Sequence, residues 1–123
     1  MNDQSVKADA GKLKVTLTPR QIIWDIAEVR EYGNAKYPDG GPNNWMNVEP
    51  QRYRDALLRH LLLYFDNPKS VDEESGITHL KHAACNIAFL CEMENNPNFR
   101  REVMYANNMP YMSIPGAGEK GGV

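Results

Sequence analysis

Apolar residues recur at helical spacing in three stretches of the chain, and local start and stop signals bound each stretch. The first stretch predicts a helix over residues 19–32, with Thr18 as the N-cap, Pro19 at the first helical position and Gly33 as the stop. Gln21 completes a capping box with Thr18. The apolar stripe of this helix consists of Ile22, Ile26 and Val29.

The second and third stretches are longer and more apolar. Pro50 opens a predicted helix over residues 50–66, which Asn67-Pro68 ends. A third helix is predicted over residues 75–94, capped either by Ser70 with Glu73 or by Asp72 with Ser75, and the pattern leaves both caps open. The predicted core faces are Leu57, Leu61 and Tyr64 on the second helix and Leu80, Ala84, Ile87 and Cys91 on the third.

The remaining segments carry weaker patterns. Residues 13–17 alternate and are expected to be extended, and residues 34–49 form a long loop rich in Pro, Gly and Asn. A short fourth helix is predicted over 99–106, followed by a flexible Gly- and Pro-rich tail from residue 107. The chain is therefore expected to be one small all-α domain spanning residues 1–123, with an extended N-terminal arm.

Composition narrows the class of protein. Hydrophobic residues make up 41% of the 123 residues, charged residues 24%, and the formal net charge is −2. That balance argues against a duplex-DNA binder, which would present a basic face. No signal peptide or membrane-length apolar run is present, so a cytoplasmic location is expected. Cys85 and Cys91 are expected to be buried free thiols, and two long apolar helices suggest a homo-oligomer.

A polar stripe interrupts the third helix. His79, His82 and Asn86 share one face of an otherwise apolar segment, so they must be hydrogen-bonded, bound to metal or turned toward a ligand. A satisfied core network explains the stripe equally well. On the second helix, His60 lies beside the predicted core face, and Arg59 can bind phosphate through its planar guanidinium or can pair with Asp55 at i, i+4.

Other residues could complete a nucleotide site. Glu28 and Glu31 form a carboxylate pair that could hold Mg²⁺, or they could simply be a solvated helix face. The long loop offers aromatic, amide and lysine side chains that can stack on a base, read its edge and neutralise phosphate, although Trp45 could instead anchor the loop to the core. These loop residues are Lys36, Tyr37, Asn44 and Trp45.

Four blocks resemble one known family. They are YGNAKY at 32–37, NNW at 43–45, YRDALLRHL at 53–61 and DEESGITHLKHAACN at 72–86. Together they resemble, over about residues 8–94, the phage and prophage domain described as the N-terminal domain of dATP/dGTP diphosphohydrolase. The positions carried over are Lys36, Tyr37, Asn44, Trp45, Asp55, Arg59, His60, Glu74, His79, His82 and Asn86.

The resemblance implies purine deoxynucleotide hydrolysis with a divalent metal, Mg²⁺ or Mn²⁺, and kinship to the all-α MazG-type pyrophosphatases. Those enzymes hold Mg²⁺ with an E-x-x-E pair and an E-x-x-D pair. Here His79-x-x-His82 stands at the second place, and histidines suit Mn²⁺ or Zn²⁺ better than Mg²⁺.

The leading hypothesis is a phage-derived protein that binds a purine nucleotide and hydrolyses its phosphoanhydride bond. The expected metal carboxylates are Glu28, Glu31 and Asp55, with Glu74, His79 and His82 as catalytic residues. Lys36, Tyr37, Asn44, Trp45, Arg59, His60 and Asn86 would bind the ligand. Two rivals are a non-catalytic sponge that sequesters a nucleotide second messenger of host immunity, and a helical subunit whose polar stripe only specifies packing.

Overall fold

Three α-helices make up most of the chain that the computed structural model describes, namely residue 8 and residues 10–95. They are α1 (Gln21–Lys36), α2 (Pro50–Asp66) and α3 (His79–Asn95). Two short 3-10 helices, Val15–Leu17 and Asn44–Asn47, precede α1 and α2. Within the described ranges the only β pairing is an isolated antiparallel bridge between Val71 and Thr78. The all-α prediction is confirmed.

The ends of α1 differ from the prediction. Thr18 is extended and follows the first 3-10 helix, and Arg20 is the N-cap without a side-chain hydrogen bond. At the other end the helix runs through Gly33, which is buried, and stops only where the Tyr37 N–H donates to the Gly33 carbonyl at 2.9 Å. Gly33 does not adopt the positive φ of a C-terminal glycine cap and stays within the helix, although a helical glycine costs roughly 1 kcal/mol relative to alanine.

Helix α2 has the predicted bounds, whereas α3 begins four residues later than predicted. Residues 70–78 form a tight turn in which Gly76 has a φ of 73°, a conformation that glycine adopts without steric cost. The hydroxyl of Thr78 accepts a hydrogen bond from the Lys81 N–H at 3.4 Å, as an N-cap does. Neither predicted cap pair therefore starts the helix.

Helices α1 and α2 both pack on α3. Trp45 anchors the loop before α2 to this core, because its ring stacks on Phe89 at a centroid distance of 4.4 Å. The Tyr53 hydroxyl also donates a 2.7 Å hydrogen bond to the Trp45 carbonyl. The buried apolar cluster consists of Val29, Val48, Tyr53, Ile77, Cys85, Phe89 and Met93.

The predicted core stripe of α3 lies on the outside. Leu80 and Ile87 are 45% and 44% exposed, and Cys91 is exposed as well. The buried face is the one that carries the polar stripe, because α2 packs against that side of α3. The core face of α3 and the burial of Cys91 were therefore predicted wrongly, while Cys85 is buried and both thiols are free.

Two further differences concern the segment before α1 and the apolar stripe of α1. The segment expected to be extended contains the 3-10 helix Val15–Leu17, and its apolar side chains are exposed. On α1, Val29 is buried and Ile26 packs against the core, but Ile22 is 43% exposed. The predicted helix over 99–106 and the tail from 107 lie outside the described residues.

Candidate metal centre

The turn before α3 positions a carboxylate above the start of that helix. The Asp72 N–H donates to the Ile77 carbonyl at 2.8 Å, and the Gly76 N–H donates to the Asp72 carbonyl at 2.7 Å. The Asp72 carboxylate accepts the Ser75 N–H at 2.9 Å. Burial raises the pKa of Asp72, but the hydrogen bond from Ser75 and the nearby histidines outweigh that effect and lower it. The carboxylate is thus ionised and fixed in place.

Three buried histidines meet beneath this turn. The Nδ1 atoms of His60 on α2 and His79 on α3 are 2.8 Å apart. The rings of His60 and His82 are stacked, with centroids 4.7 Å apart and an interplanar angle of 11°. The histidine pair His60–His79 needs one Nδ1 with a proton and one without, so the two rings hold complementary tautomers in the absence of a cation.

A serine orients the third histidine. His82 Nε2 and Ser75 Oγ share a hydrogen bond at 2.7 Å, and the Ile77 N–H donates to the same Oγ at 3.1 Å. His82 Nδ1 is buried and has no hydrogen-bond partner among the described residues. A buried imidazole nitrogen without a partner is costly, so contacts among the described residues do not fully satisfy this cluster.

Burial favours the neutral form of two of these histidines, His60 and His82. Burial, together with the neighbouring His82 and His79, lowers the pKa of His60 to about 4, while Asp72 opposes them. Burial also lowers the pKa of His82, again against the effect of Asp72. Neutral imidazoles are the form that binds metal and the form that accepts a proton.

One group of potential metal ligands stands out. Within the described residues, the single set of three or more His, Cys, Asp or Glu side chains at ligand spacing is His60, Asp72 and His79, whose ligand atoms all lie within 4.8 Å of one another. Two nitrogens bound to tetrahedral Zn²⁺ lie roughly 3.3 Å apart, so the 2.8 Å separation of the Nδ1 atoms needs only a small adjustment. Two imidazoles and one carboxylate fit Mn²⁺ or Zn²⁺ better than Mg²⁺.

A lysine lies on the other side of the same turn. Lys36, in the last turn of α1, forms an ion pair with Glu74. Its ammonium lies 5.8 Å from the ring centroid of Tyr32 and 5.1 Å from that of Tyr37, and the Tyr32 hydroxyl also hydrogen-bonds Glu74. Burial lowers the pKa of Lys36, but the hydrogen bonds with Glu74 and Tyr37 outweigh it and raise that pKa. Lys36 is therefore a fixed positive charge.

The remaining loop residues predicted for ligand binding line a separate small cavity. Asn44, Trp45 and Tyr37 border it together with Arg30, and its volume is about 20 Å³. That is room for about one water molecule, whereas ligand pockets usually measure roughly 300–1,000 Å³. A base could enter here only if the loop moved.

The carboxylates predicted to bind metal are dispersed. Glu28 accepts a hydrogen bond from the Lys81 ammonium at 2.8 Å, and Asp55 accepts one from the Gln51 amide at 3.1 Å. Glu31 is exposed on α1. None of these three belongs to a group of metal-ligand spacing in the described part of the chain.

Two more predicted ligand residues lie near the histidines. Arg59 is exposed on α2, and its charge helps to lower the pKa of His60. Asn86 is buried one turn after His82, and its amide donates to the His82 carbonyl at 2.9 Å. The structure thus gathers His60, His79, His82 and Asn86, and it places Lys36 with Glu74 beside them.

Sequence reasoning missed Asp72 and Ser75 as members of the site. The sequence marks both only as candidate helix caps. In the structure, the turn over residues 70–78 folds them back toward α3, where Ser75 contacts His82. The available signal was the spacing of an Asp, a Ser and a Gly just before His79, which is typical of an Asx turn.

The fold and this cluster define a small helical protein with a candidate metal centre at one end of the α2–α3 pair. A family model, dATP/dGTP diphosphohydrolase, N-terminal, matches residues 2–102, so the chain belongs to that family. A dATP/dGTP diphosphohydrolase of Salmonella phage PMBT28 is 32% identical over 91 residues, which are 74% of this chain and 30% of that protein.

The chain therefore spans about 30% of the length of this relative. No solved structure matches it. Among the described residues, no helix is long and apolar enough to cross a membrane.

Proposed function

We propose that this chain binds a purine deoxynucleoside triphosphate and hydrolyses it at a metal centre formed by His60, Asp72 and His79. The observation that carries the proposal is the approach of their three ligand atoms to within 4.8 Å of one another. Family membership supports the nucleotide, because the family and its phage relative are named for dATP and dGTP. In the reaction, water attacks the α-phosphorus, the bond to the bridging oxygen breaks, and pyrophosphate leaves with release of a proton.

The metal ligands in this proposal differ from the carboxylates expected from sequence. A divalent cation would supply Lewis-acid stabilisation of the charge that develops on the phosphate oxygens. The Nδ1 atoms of His60 and His79 are 2.8 Å apart, and Asp72 completes a set of ligand atoms that lie within 4.8 Å of one another and could hold the cation. Binding through both Nδ1 atoms would require two neutral rings that carry their protons on Nε2, so binding should weaken as pH falls toward the pKa of His60, which is about 4.

Lys36 and Arg59 are the phosphate-binding residues of the proposal. Lys36 is close to the centre, since its partner Glu74 belongs to the same turn as Asp72. Arg59 precedes the ligand His60 on α2 and is exposed, so its guanidinium is accessible to a phosphate chain. Cations in these positions stabilise the negative charge that accumulates as pyrophosphate departs.

His82 is the proton acceptor of the proposal. Burial keeps its imidazole neutral near pH 7, and the 2.7 Å contact with Ser75 holds the ring in one orientation. A base hydrogen-bonded to an orienting group is the arrangement that general-base catalysis needs. With His79 committed to the metal, His82 is the catalytic histidine and Ser75 is a positioning residue.

The test is to incubate purified protein with dATP, dGTP or dCTP in Mn²⁺, Zn²⁺, Mg²⁺ or chelator, and to separate the products by chromatography. We expect monophosphate and pyrophosphate from the purine substrates with a transition metal. His79→Ala should abolish turnover and should also abolish Mn²⁺ binding measured by calorimetry.

Glu92→Gln is the control, because Glu92 is an exposed carboxylate near the C-terminal end of α3, far from His79 at the other end, and should behave as wild type. Recovery of tightly bound but intact nucleotide would contradict hydrolysis and would favour the sponge function. If the protein neither binds nor hydrolyses nucleotide, the polar stripe has a packing role alone.

A further inference from the structure

A polar cluster at the C-terminal end of α1 surrounds the carboxylate of Glu74. The Lys36 ammonium forms an ion pair with this carboxylate, and the Tyr32 hydroxyl donates a hydrogen bond to it. Tyr32 and Lys36 are four residues apart on α1, so they lie one above the other on the same side of the helix. Two donor groups on one rigid helix therefore converge on a single anionic group.

A second ion pair between α1 and α3 has the opposite balance of charge. The Lys81 ammonium lies 2.8 Å from the carboxylate of Glu28 and 4.0 Å from that of Asp25. One cation between two carboxylates leaves a net negative charge, which repels a further anion. At Lys36, by contrast, an ammonium and a hydroxyl face one carboxylate. Of these two lysines, Lys36 is the one whose surroundings suit an anionic ligand.

Glu74 is the replaceable member of the cluster. Its side chain is 62% exposed, and ion pairs with exposed partners contribute little to stability. Tyr32 is half-buried and packs against the apolar cluster of the core. The Lys36 ammonium lies near the rings of both Tyr32 and Tyr37, which attract a cation. The donors are thus held in place, whereas the carboxylate that they bind can turn away into solvent.

The cluster borders the candidate metal centre. Glu74 belongs to the same turn as the metal ligand Asp72, two residues away. Burial raises the pKa of the Tyr32 hydroxyl against the effect of Lys36, and the charges of Glu74 and Asp72 raise it further. Asp72 is therefore close enough to act on the hydroxyl of Tyr32, and one extended ligand can reach both places.

We propose that Tyr32 and Lys36 bind the terminal phosphates of the nucleotide, and that Glu74 occupies their site until the nucleotide displaces it. The inference rests on the proposed function for its ligand and for the position of the α-phosphorus at the metal centre. The β- and γ-phosphates then extend toward α1, where the ammonium and the hydroxyl bind their oxygens. These two phosphates leave as pyrophosphate, so the same pair of side chains binds the product.

Binding of inorganic pyrophosphate, dATP and dAMP to the full chain tests the inference, measured by calorimetry with chelator present. The chelator removes metal and prevents turnover, so the result does not depend on hydrolysis. Tyr32→Phe and Lys36→Gln should each weaken the binding of pyrophosphate and of dATP about 10-fold or more, the effect of losing one hydrogen bond to a charged group. Their affinity for dAMP, which has no terminal phosphates, should equal that of wild type.

Lys81→Gln is the matched control. Lys81 has the same side-chain exposure as Lys36, 32%, and also pairs with a carboxylate across α1 and α3. This variant should keep all three affinities. Tyr32→Phe retains the ring that packs on the core, so its melting temperature should match that of wild type.

Three results would overturn the inference. They are wild-type protein that binds no pyrophosphate, equal losses of affinity in Lys36→Gln and Lys81→Gln, and a Tyr32→Phe variant that melts earlier but binds as wild type. The proposed hydrolysis is judged separately, by product formation with metal present. Affinities that change as expected without any turnover would support the phosphate site and contradict the hydrolase. Turnover with unchanged affinities in both variants would do the reverse.

Discussion

The buried face of α3, which we call the inner face, carries polar side chains, whereas the opposite, exposed face carries large apolar ones. His79, His82 and Asn86 are buried at 7%, 2% and 0% exposure, while Leu80 and Ile87 are nearly half exposed. Burying an imidazole or amide forfeits its hydration, and exposing a leucine forfeits apolar burial. Burial of these polar groups calls for a role beyond packing, and on our proposal the inner face binds metal and nucleotide.

The largest predicted effect concerns the apolar end of the inner face. Phe89 is buried, stacks on Trp45 and touches Tyr53. Phe89→Ala should lower the free energy of unfolding by about 3–5 kcal/mol, at every protein concentration, in urea titrations.

Ile87→Ala is the comparison on the opposite, exposed face of α3. Its effect should be smaller, because Ile87 is 44% exposed. A loss as large as that of Phe89→Ala would show that Ile87 belongs to the packed interior.

The second prediction concerns the pH dependence of stability that the buried histidines of the inner face cause in metal-free protein. The pKa of His60 is lowered to about 4 from 6.5, so between these values the unfolded chain binds a proton that the folded chain excludes. The contribution of His60 to the free energy of unfolding is therefore fully present above pH 6.5. It is lost as pH falls toward 4, by up to roughly 3 kcal/mol. His82, His79, Asp72 and Arg59 all act on this group, so the slope belongs to the cluster.

The lowered pKa of Asp72 adds a loss only below its ordinary value of 3.8. Urea midpoints at pH 7.5, 6, 5 and 4.5 with chelator present measure the slope. His60→Gln should reduce the slope and leave the part due to His82, whose pKa burial also lowers. An unchanged slope in that variant would mean that the His60 imidazole is not a source of it.

Local signals predict the helices well and the burial poorly. Pro50 and Asn67-Pro68 bound α2 correctly because these residues act through their own backbone. Which side of α3 is covered depends on where α2 and α1 pack, and the apolar pattern alone selected the wrong side. Apolar residues that belong to an interface carry the same periodicity as those of a core, so the pattern cannot separate them.

The candidate site was predictable only in part. His79 and His82 form a pattern within one helix, so sequence reasoning found them. Asp72 joins them only through the turn that ends at Gly76, and the contact between His60 and His79 joins residues of different helices. Pairings of this kind arise from tertiary structure, and a single sequence contains no periodic signal for them.

The third prediction tests phosphate binding beside the inner face. Loss of a charged hydrogen bond to phosphate costs about 1.5–3 kcal/mol, so Arg59→Ala should weaken nucleotide binding roughly 10- to 150-fold in calorimetry. The fold should be unaffected because Arg59 is exposed. Arg54→Ala is the control, since Arg54 is also exposed on α2 and hydrogen-bonds Gln51 at 3.2 Å. If Arg59→Ala and Asp55→Asn instead destabilise the protein equally without changing affinity, Arg59 serves a structural pair.

The smallest predicted effect distinguishes two roles for Glu74. Its side chain is 62% exposed and paired with Lys36. Because exposed ion pairs contribute only about 0–1 kcal/mol, Glu74→Gln should barely change the melting temperature. If Glu74 merely neutralises Lys36 in the empty site, its removal frees the ammonium for phosphate, and nucleotide affinity should rise a few-fold. If Glu74 is catalytic, as sequence reasoning expected, kcat should fall instead with KM little changed. Glu73→Gln makes the same charge change one residue away at another exposed position and should do neither. A rise in affinity of equal size in both variants would mean that net charge, rather than the contact with Lys36, controls binding at this end of the molecule.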